Sequence, residues 1–279
     1  MALRINHNIM ALNAYRNLGV TQGKLSRSIE KLSSGLRITR AADDAAGLAI
    51  SEQMRADIRS LNQAVRNAND GVSMLQTAEG ALNEVSGMLT RMRELAAQAA
   101  TGTVGDTQKQ TLDSEFQHLI SEINRIAEVT EFNGTKLING ALSSGSAAAA
   151  TFQIGIKNTS NDRLAVDIDS MKSDDLAISG VAISTAGLAQ SALAKIDSAI
   201  GQVAAQRGTI GAVQNRLERT IANLSISAEN LTAAESQIRD VDMALEMANF
   251  TKNQIMSQAG TAMLAQANLV NQSVLTLLG

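Results

Sequence analysis

Apolar residues recur along this chain at helical spacing. Ile5, Ile9 and Leu12 open a stripe that resumes as Leu25, Ile29, Leu32 and Leu36, with Lys24, Arg27 and Lys31 on the other side. That spacing predicts an amphipathic helix. Ser33-Ser34-Gly35 and the stretch from Thr39 to Asp44 interrupt it, and Asp43 or Asp44 is placed to cap a new helix by accepting from its free amides. Met54, Ile58, Leu61, Val65, Ala68, Val72 and Leu75 then alternate four and three, and Val85, Met88, Met92, Leu95 and Ala99 continue with the stripe shifted round the helix. Read as one helix over 44–100, this segment would span roughly 85 Å. After a turn from Gly102 to Asp106, Leu112, Phe116, Leu119, Ile123 and Ile126 mark a shorter helix folding back on it.

The pattern changes once. Asn133-Gly134 and Asn139-Gly140 are turn signals, because both residue types accept positive φ. Phe152, Ile154 and Ile156 alternate with polar residues, as do Leu164, Val166 and Ile168, which predicts a half-buried β-hairpin at about 151–168. From Ile196 a heptad runs through 200, 203, 207, 210, 214, 217, 221, 224, 228, 231, 235 and 238, broken only by Arg207, Gln214 and Glu235. It predicts packing of helix against helix. In the final segment Met256, Met263, Ala267, Val270, Val274 and Leu277 form one stripe and Ile255, Ala259, Ala262 and Leu269 a second. Two stripes on one helix call for at least two partners.

Composition sharpens this picture. Among 279 residues there is no Pro, no Cys and no Trp, and aromatics are 2%. Absence of Pro suits long unbroken helices, and a core without large rings suits thin helix-on-helix seams. The expected fold class is mainly α: long antiparallel helices and coiled coils formed from both termini, with one small β-hairpin region. Without Cys there is no disulfide framework, thiolate metal site or thiol nucleophile. The start interleaves apolar residues with Asn, His and Arg and shows no Sec-type apolar run, and no segment approaches a membrane span. Net charge is −3, yet residues 1–42 carry Arg4, Arg16, Lys24, Arg27, Lys31, Arg37 and Arg40 against Glu30 alone. A basic arm can serve nucleic acid or an anionic membrane; a solvated helix face explains it more simply. Neither nucleic-acid binding nor membrane insertion is expected, although a membrane-active amphipathic protein is the rival from another class.

The termini pose an energetic problem. A buried Leu or Val contributes about 1.5–3 kcal/mol, while ordering one residue's backbone costs about 1–2 kcal/mol. A lone pair of terminal helices buries too little to win that balance, so both ends should order only against copies of the chain. A head-to-tail contact that does not close grows a filament.

The residues that carry the pattern also carry a resemblance. INHNIMALNAYRNL and LSSGLRITRAADDAAGLAISEQM resemble the N-terminal region of bacterial flagellins. IGAVQNRLERTIANLSISAENLTAAESQIRDVDMALEMANFTKNQIMSQAGTAMLAQANLVNQSVLTLL is similar to their C-terminal region. The likeness covers about residues 1–140 and 190–279. It implies a homopolymeric filament subunit for swimming motility, with the hook–filament junction protein of the same family as the alternative. It also implies secretion through the flagellum's type III channel without a Sec signal, an export chaperone, a filament cap and an extracellular location. Its domain plan would be an inner coiled-coil domain from 1–42 and 236–279. Around it would lie a helical rod domain from 43–180 and 181–235, with large outer domains absent.

The expected self-assembly seam is Ile5, Ile9, Leu12, Leu25, Ile29, Leu32, Leu36, Met256, Met263, Val270, Val274 and Leu277. Leu25, Ile29 and Leu32 should meet the C-terminal helix, and Met263, Val270, Val274 and Leu277 should face it or neighbouring copies. Many flagellins carry Gln-Arg-x-Arg-Glu-Leu, a motif read by a Toll-like receptor; here Arg91, Arg93, Glu94, Leu95 and Gln98 match, Thr90 replaces the Gln, and Glu115 supplies the acidic contact. Packing alone would also account for these residues. Ser143, Ser144, Ser146 and Thr159 are the candidates for the O-glycans some flagellins carry. No catalytic, metal or cofactor site is expected: His7 and His118 lie far apart in the chain, and there is no HExxH.

Overall fold

The structure, a computed structural model, describes residues 7–143 and 150–278, with side chains up to residue 270. Five helices dominate it: α1 (Ile9–Ser34), α2 (Ala45–Ala99), α3 (Asp106–Val129), α4 (Ala186–Arg239) and α5 (Met243–Leu278). Two small antiparallel sheets complete it, β1 (Glu131–Phe132) with β2 (Thr135–Lys136) and β3 (Ala150–Gln153) with β4 (Arg163–Val166). The fold is mainly α, as the spacing predicts. The chain forms two compact units, one of Met1–Ile58 with Glu229–Gly279 and one of Arg59–Ala228.

The unit Arg59–Ala228 holds the hydrophobic core. On α2 the buried positions 61, 64, 68, 71, 75, 78, 82, 85, 89, 92, 96 and 99 form a three–four repeat without interruption, with Met74 and Leu95 buried beside it. The shift expected between Leu75 and Val85 does not occur. Val65 and Val72 suggested it, but both are only half-buried; Ala64 and Gly71 hold those turns of the stripe, and Ala78, Leu82, Leu89 and Ala96 continue it. On α4 the buried stripe is 189, 192, 196, 199, 203, 206, 210, 213, 217, 224 and 228. It shares 196, 203, 210, 217, 224 and 228 with the expected heptad and departs from it at three slots. There it takes the preceding residue, Ala199, Gln206 and Val213, leaving Ile200, Arg207 and Gln214 half-buried on its flank. Phe116, Ile120, Ile123 and Ala127 of α3 join the same cluster.

The polar residues in the α4 heptad have a task. Gln214 Nε2 donates to Glu79 Oε2 at 3.2 Å, and Arg207 Nη2 lies 4.0 Å from the other oxygen of the same carboxylate. One α2 residue is thus bracketed by two α4 residues a heptad apart, which fixes the register of two otherwise repetitive seams, since a seven-residue slip breaks one of the two contacts. Arg207 Nε is buried without a partner. Glu79→Leu should therefore lower the free energy of unfolding by about 1–3 kcal/mol in urea titration. Glu79→Gln, which still accepts from Gln214, should cost less. Equal losses would remove the bracket as the cause.

The β3–β4 hairpin lies where it is expected, with Ala150 opposite Val166 and Gln153 opposite Arg163. Leu164 and Val166 are buried, and Phe152 and Ile154 are half-buried against the core. Gly71 makes this possible: a Cβ there would stand 3.2 Å from the Phe152 ring. Asn67 Nδ2 fastens the hairpin by donating to the Gln153 carbonyl at 3.1 Å. The β1–β2 pair turns at Asn133-Gly134, both at positive φ (50° and 79°). The dipeptide signals that turn; the two-residue strands flanking it are too short to leave a periodic trace.

Candidate functional site

Helices α1 and α5 pack on each other within the unit Met1–Ile58 with Glu229–Gly279. On α1 the less exposed run is Ala11, Ala14, Leu18, Thr21, Leu25, Ser28 and Leu32, with Glu30 and Lys31 also half-buried near its end; on α5 it is Glu246, Phe250, Asn253, Ser257, Gly260, Leu264 and Ala267. Both sets alternate three and four, so the contact has coiled-coil periodicity. Most of its members are small or polar. Gly260 marks the close approach, since a Cβ there would stand 3.2 Å from Leu18 Cδ1. Asn8 caps α1 by accepting from the Ala11 amide at 2.9 Å, and its Nδ2 donates to the Ala267 carbonyl at 2.9 Å. Only Ser28 and Ala267 are buried among the described side chains of the two helices.

The expected seam residues divide accordingly. Leu25 and Leu32 lie in the α1–α5 contact and Leu36 is half-buried just beyond α1. Ile9 (58% exposed), Leu12 (61%), Ile29 (51%), Met256 (53%), Met263 (63%) and Val270 (37%) point outward. Ile29 does not meet the C-terminal helix as expected, because Leu25, Ser28 and Leu32 occupy that face. Met10, Tyr15, Val20, Met243, Leu245, Met247, Ile255 and Leu269 are exposed as well. Ile5 lies outside the described residues, as do the side chains of Val274 and Leu277. Sequence reasoning missed Ser28, Ser257 and Gly260, whose only signal is their place in the seven-residue repeat.

A polar junction closes this pair. Helix α1 ends at Gly35, in the left-handed conformation (φ 72°), whose amide donates to the Lys31 carbonyl. Beyond it Arg37 N donates to the Arg239 carbonyl at 2.7 Å and Val241 N to the Gly35 carbonyl at 3.0 Å, pairing Leu36 with Asp240 as an antiparallel bridge. The Arg37 guanidinium donates to the Ile238 carbonyl, and Arg239 Nη1 to Glu52 Oε1 at 2.7 Å. Asp44 caps the start of α2 by accepting from the Gly47 amide at 2.8 Å, while Asp43 accepts from the Thr39 and Arg40 amides. Either Asp was a candidate cap, and the structure gives the two different tasks.

The Glu52 carboxyl is held below its usual range, first by the hydrogen bond from Arg239 and then by that from Arg55. A lowered carboxylate stabilises the fold above its ordinary pKa and loses that contribution as pH falls through the folded-state value. Acidification below about pH 4 should therefore loosen the junction. Glu52→Gln should flatten the acid limb of a stability-versus-pH curve, and an unchanged limb would remove Glu52 as its source.

A second cluster sits on the other unit. Arg91 donates to Glu94 on its own helix and to Glu115 on α3, at 3.1 and 2.9 Å, and Arg93 pairs with Asp197 on α4 at 2.7 Å. These partners, Glu94 first and then Glu115, raise the Arg91 pKa and keep it charged. Arg91, Glu94 and Glu115 thus form an exposed ion-paired patch with Gln98 on the same face of α2, whereas Arg93 is exposed on the side toward α4 and Leu95 is fully buried in the core. Exposed pairs of this kind contribute about 0–1 kcal/mol each. Of the candidate glycan sites, Thr159 is exposed and donates to Asp162 at 2.6 Å, and Ser143 is half-buried. Ser144 and Ser146 lie outside the described residues. Among the described residues no His, Cys, Asp and Glu group could hold a metal ion, and no helix is long and apolar enough to cross a membrane.

A buried helical core in one unit and, in the other, paired terminal helices with apolar outward faces describe a structural protein. Comparison with known proteins makes the class specific. The bacterial flagellin N-terminal helical region matches residues 5–143 and the C-terminal helical region residues 193–278. The flagellin of Halalkalibacterium halodurans is 49% identical over 98% of this chain and 99% of its own. That of Bacillus subtilis is 49% identical over 99% and 100%. The flagellar filament 33 kDa core protein of Treponema phagedenis is 45% identical over 98% and 99%. A putative flagellar hook-associated protein from Vibrio parahaemolyticus shares the fold, with a TM-score of 0.59 over 71% of this chain and 100% of its own at 14% identity. The chain belongs to the bacterial flagellin family.

Proposed function

We propose that the outward faces of α1 and α5 are the surfaces on which this flagellin packs against copies of itself, with Ile9, Leu12, Ile29, Met256, Met263 and Val270 making the contacts. Ile5, Val274 and Leu277 extend the same stripes along the sequence. The chain is a structural subunit of the bacterial flagellar filament, the fibre that drives swimming. The observation that carries the reading is the make-up of the α1–α5 pair: most residues between the helices are small or polar, with Leu18, Leu25, Leu32, Phe250 and Leu264 among them, while Ile9, Leu12, Ile29, Met256, Met263 and Val270 stay outside. So much exposed apolar surface marks an interaction site. Negative-stain microscopy of the concentrated protein should show helical filaments. Protein that stays monomeric under every filament-promoting condition would remove the reading.

The domain plan proposed for the assembled subunit is an inner coiled coil from 1–42 and 236–279 and a surrounding rod from 43–180 and 181–235. Family membership supports export through the flagellar type III channel to the cell exterior, with a chaperone before export and a cap at the growing tip. Full-length identity near one half to flagellins favours the filament subunit over the hook–filament junction protein. Abundance separates the two roles, thousands of copies per filament against a ring's worth.

The Arg91 patch supports a further reading, recognition by the Toll-like receptor for flagellin. Arg91, Glu94 and Glu115 are joined by ion pairs and presented together on the surface. Leu95 stays buried in the core. Arg91→Ala should cut receptor activation by soluble monomer at least about tenfold, the loss of roughly one charged contact. Activation that survives in Arg91→Ala with Glu115→Ala would assign the patch to packing alone.

A further inference from the structure

The chain has 11 methionines, and the fold sorts them. In the unit Arg59–Ala228, Met74, Met92 and Met171 are buried and Met88 is half-buried. Met10, Met243, Met247, Met256 and Met263 are 48–63% exposed, and all of them belong to α1 or α5. Met256 and Met263 stand one heptad apart, each one residue before a member of the α1–α5 contact, Ser257 and Leu264. They therefore rise on one flank of α5 about 10.5 Å apart along its axis. Met247 and Met256 also line a groove of ≈ 590 Å³ with Ala248, Thr251, Lys252 and Ile255. The chain has neither Cys nor Trp, so these thioethers are its most readily oxidised accessible groups.

We propose that Met256 and Met263 form a redox modification site, at which a peroxide converts both thioethers to sulfoxides and so keeps the free chain out of the polymer. The sulfur lone pair attacks one peroxide oxygen and the O–O bond breaks. The departing hydroxide takes up the remaining proton as water. Sulfur loses two electrons and the peroxide gains them. Each product carries a strong S=O acceptor where an apolar side chain stood. Covered by a neighbour, that oxygen has no donor to replace water, which opposes burial. The helix itself tolerates the change, because both side chains are more than half exposed. A sulfoxide reductase, using a thiol as reductant, reverses it. In the polymer the neighbour shields the sulfurs, so the site acts on chains before they assemble.

The inference rests on the self-assembly reading, and the test separates the two. Monomer and preformed filaments of the full chain are exposed to hydrogen peroxide, oxygen addition is mapped by peptide mass spectrometry, and polymerisation is followed by sedimentation. Oxidised monomer should gain one oxygen at each of Met256 and Met263 and keep its far-ultraviolet circular dichroism. Its critical concentration should rise at least about tenfold, the scale of one buried unpaired acceptor. Filaments should oxidise at these positions at least about tenfold more slowly, as expected of shielded groups. The Met256→Leu, Met263→Leu chain is compared only with itself, and its critical concentration, whatever its value, should be the same before and after treatment. Oxidised chains that polymerise like untreated ones, or a Leu variant as sensitive as the parent, would overturn the site while leaving self-assembly intact. Untreated chains that never polymerise would overturn both.

Discussion

Replacing Met256 and Met263 together with Glu should leave a helical monomer at concentrations where the parent chain forms filaments. Glu is a good helix former, so the substitution leaves local helix stability almost untouched. Neither side chain lies in the α1–α5 contact, since both are more than half exposed. What changes is the surface offered to a neighbour. Burying a Met contributes about 1.5–3 kcal/mol, and two lost contacts correspond to a rise in critical concentration of at least about a hundredfold. Desolvating two carboxylates adds to the effect. Sedimentation reads the polymer and circular dichroism reads the helix. Filaments of normal length at the parent's concentration would show that these residues do not face a copy.

The second large effect concerns order rather than affinity. In dilute monomer the amides of α1 and α5 should exchange near the unprotected rate, while those of residues 61–99 are strongly protected. On polymerisation the terminal helices should slow by at least about two orders of magnitude, as segments stabilised only by association do. The contrast follows from burial. The α2 stripe contributes twelve buried positions to the core of its unit, whereas α1 and α5 bury only Ser28 and Ala267 among their described side chains. With backbone ordering costing about 1–2 kcal/mol per residue, a contact of mostly small and polar residues, whose few Leu and Phe members stay half-exposed, cannot hold two long helices by itself. Strong protection of both helices in strictly monomeric solution would refute the account, whatever the filament then does.

Most of the fold was legible in the sequence because long helices leave long periodic traces. The continuous α2, the turn after it, α3, the hairpin and α4 stand where the spacing of Leu, Ile, Val and Met places them. What was not legible has one physical cause. In a thin seam the closest contacts belong to the smallest side chains, and a reading that follows large apolar residues looks past them. Ala64 and Gly71, not Val65 and Val72, set the phase of the α2 stripe, and Ala78 and Leu82 carry it without a shift from Leu75 to Val85. Ala199, Gln206 and Val213 turn the α4 face away from the apolar slots beside them. Ser28 and Gly260 lie between the terminal helices while Ile29 and Met263 face outward. The polar members of the α4 heptad looked like defects until Glu79 was seen between Arg207 and Gln214, and a contact across that sequence distance is invisible to periodicity. The charged patch was visible as a motif, but only folding shows that Arg91 reaches Glu115 and that Leu95 faces inward.

The paired crossover at Gly35–Arg37 and Arg239–Val241 has a mechanical corollary. Two reciprocal peptide hydrogen bonds tie the exit of α1 to the end of α4, and Arg239 adds an ionic tether to Glu52. A fibre spun from its base carries torque through every subunit, and each strand of a subunit would twist independently if joined only by its own linker. Cross-tied at one level, the two linkers share the load as a single torsional coupling.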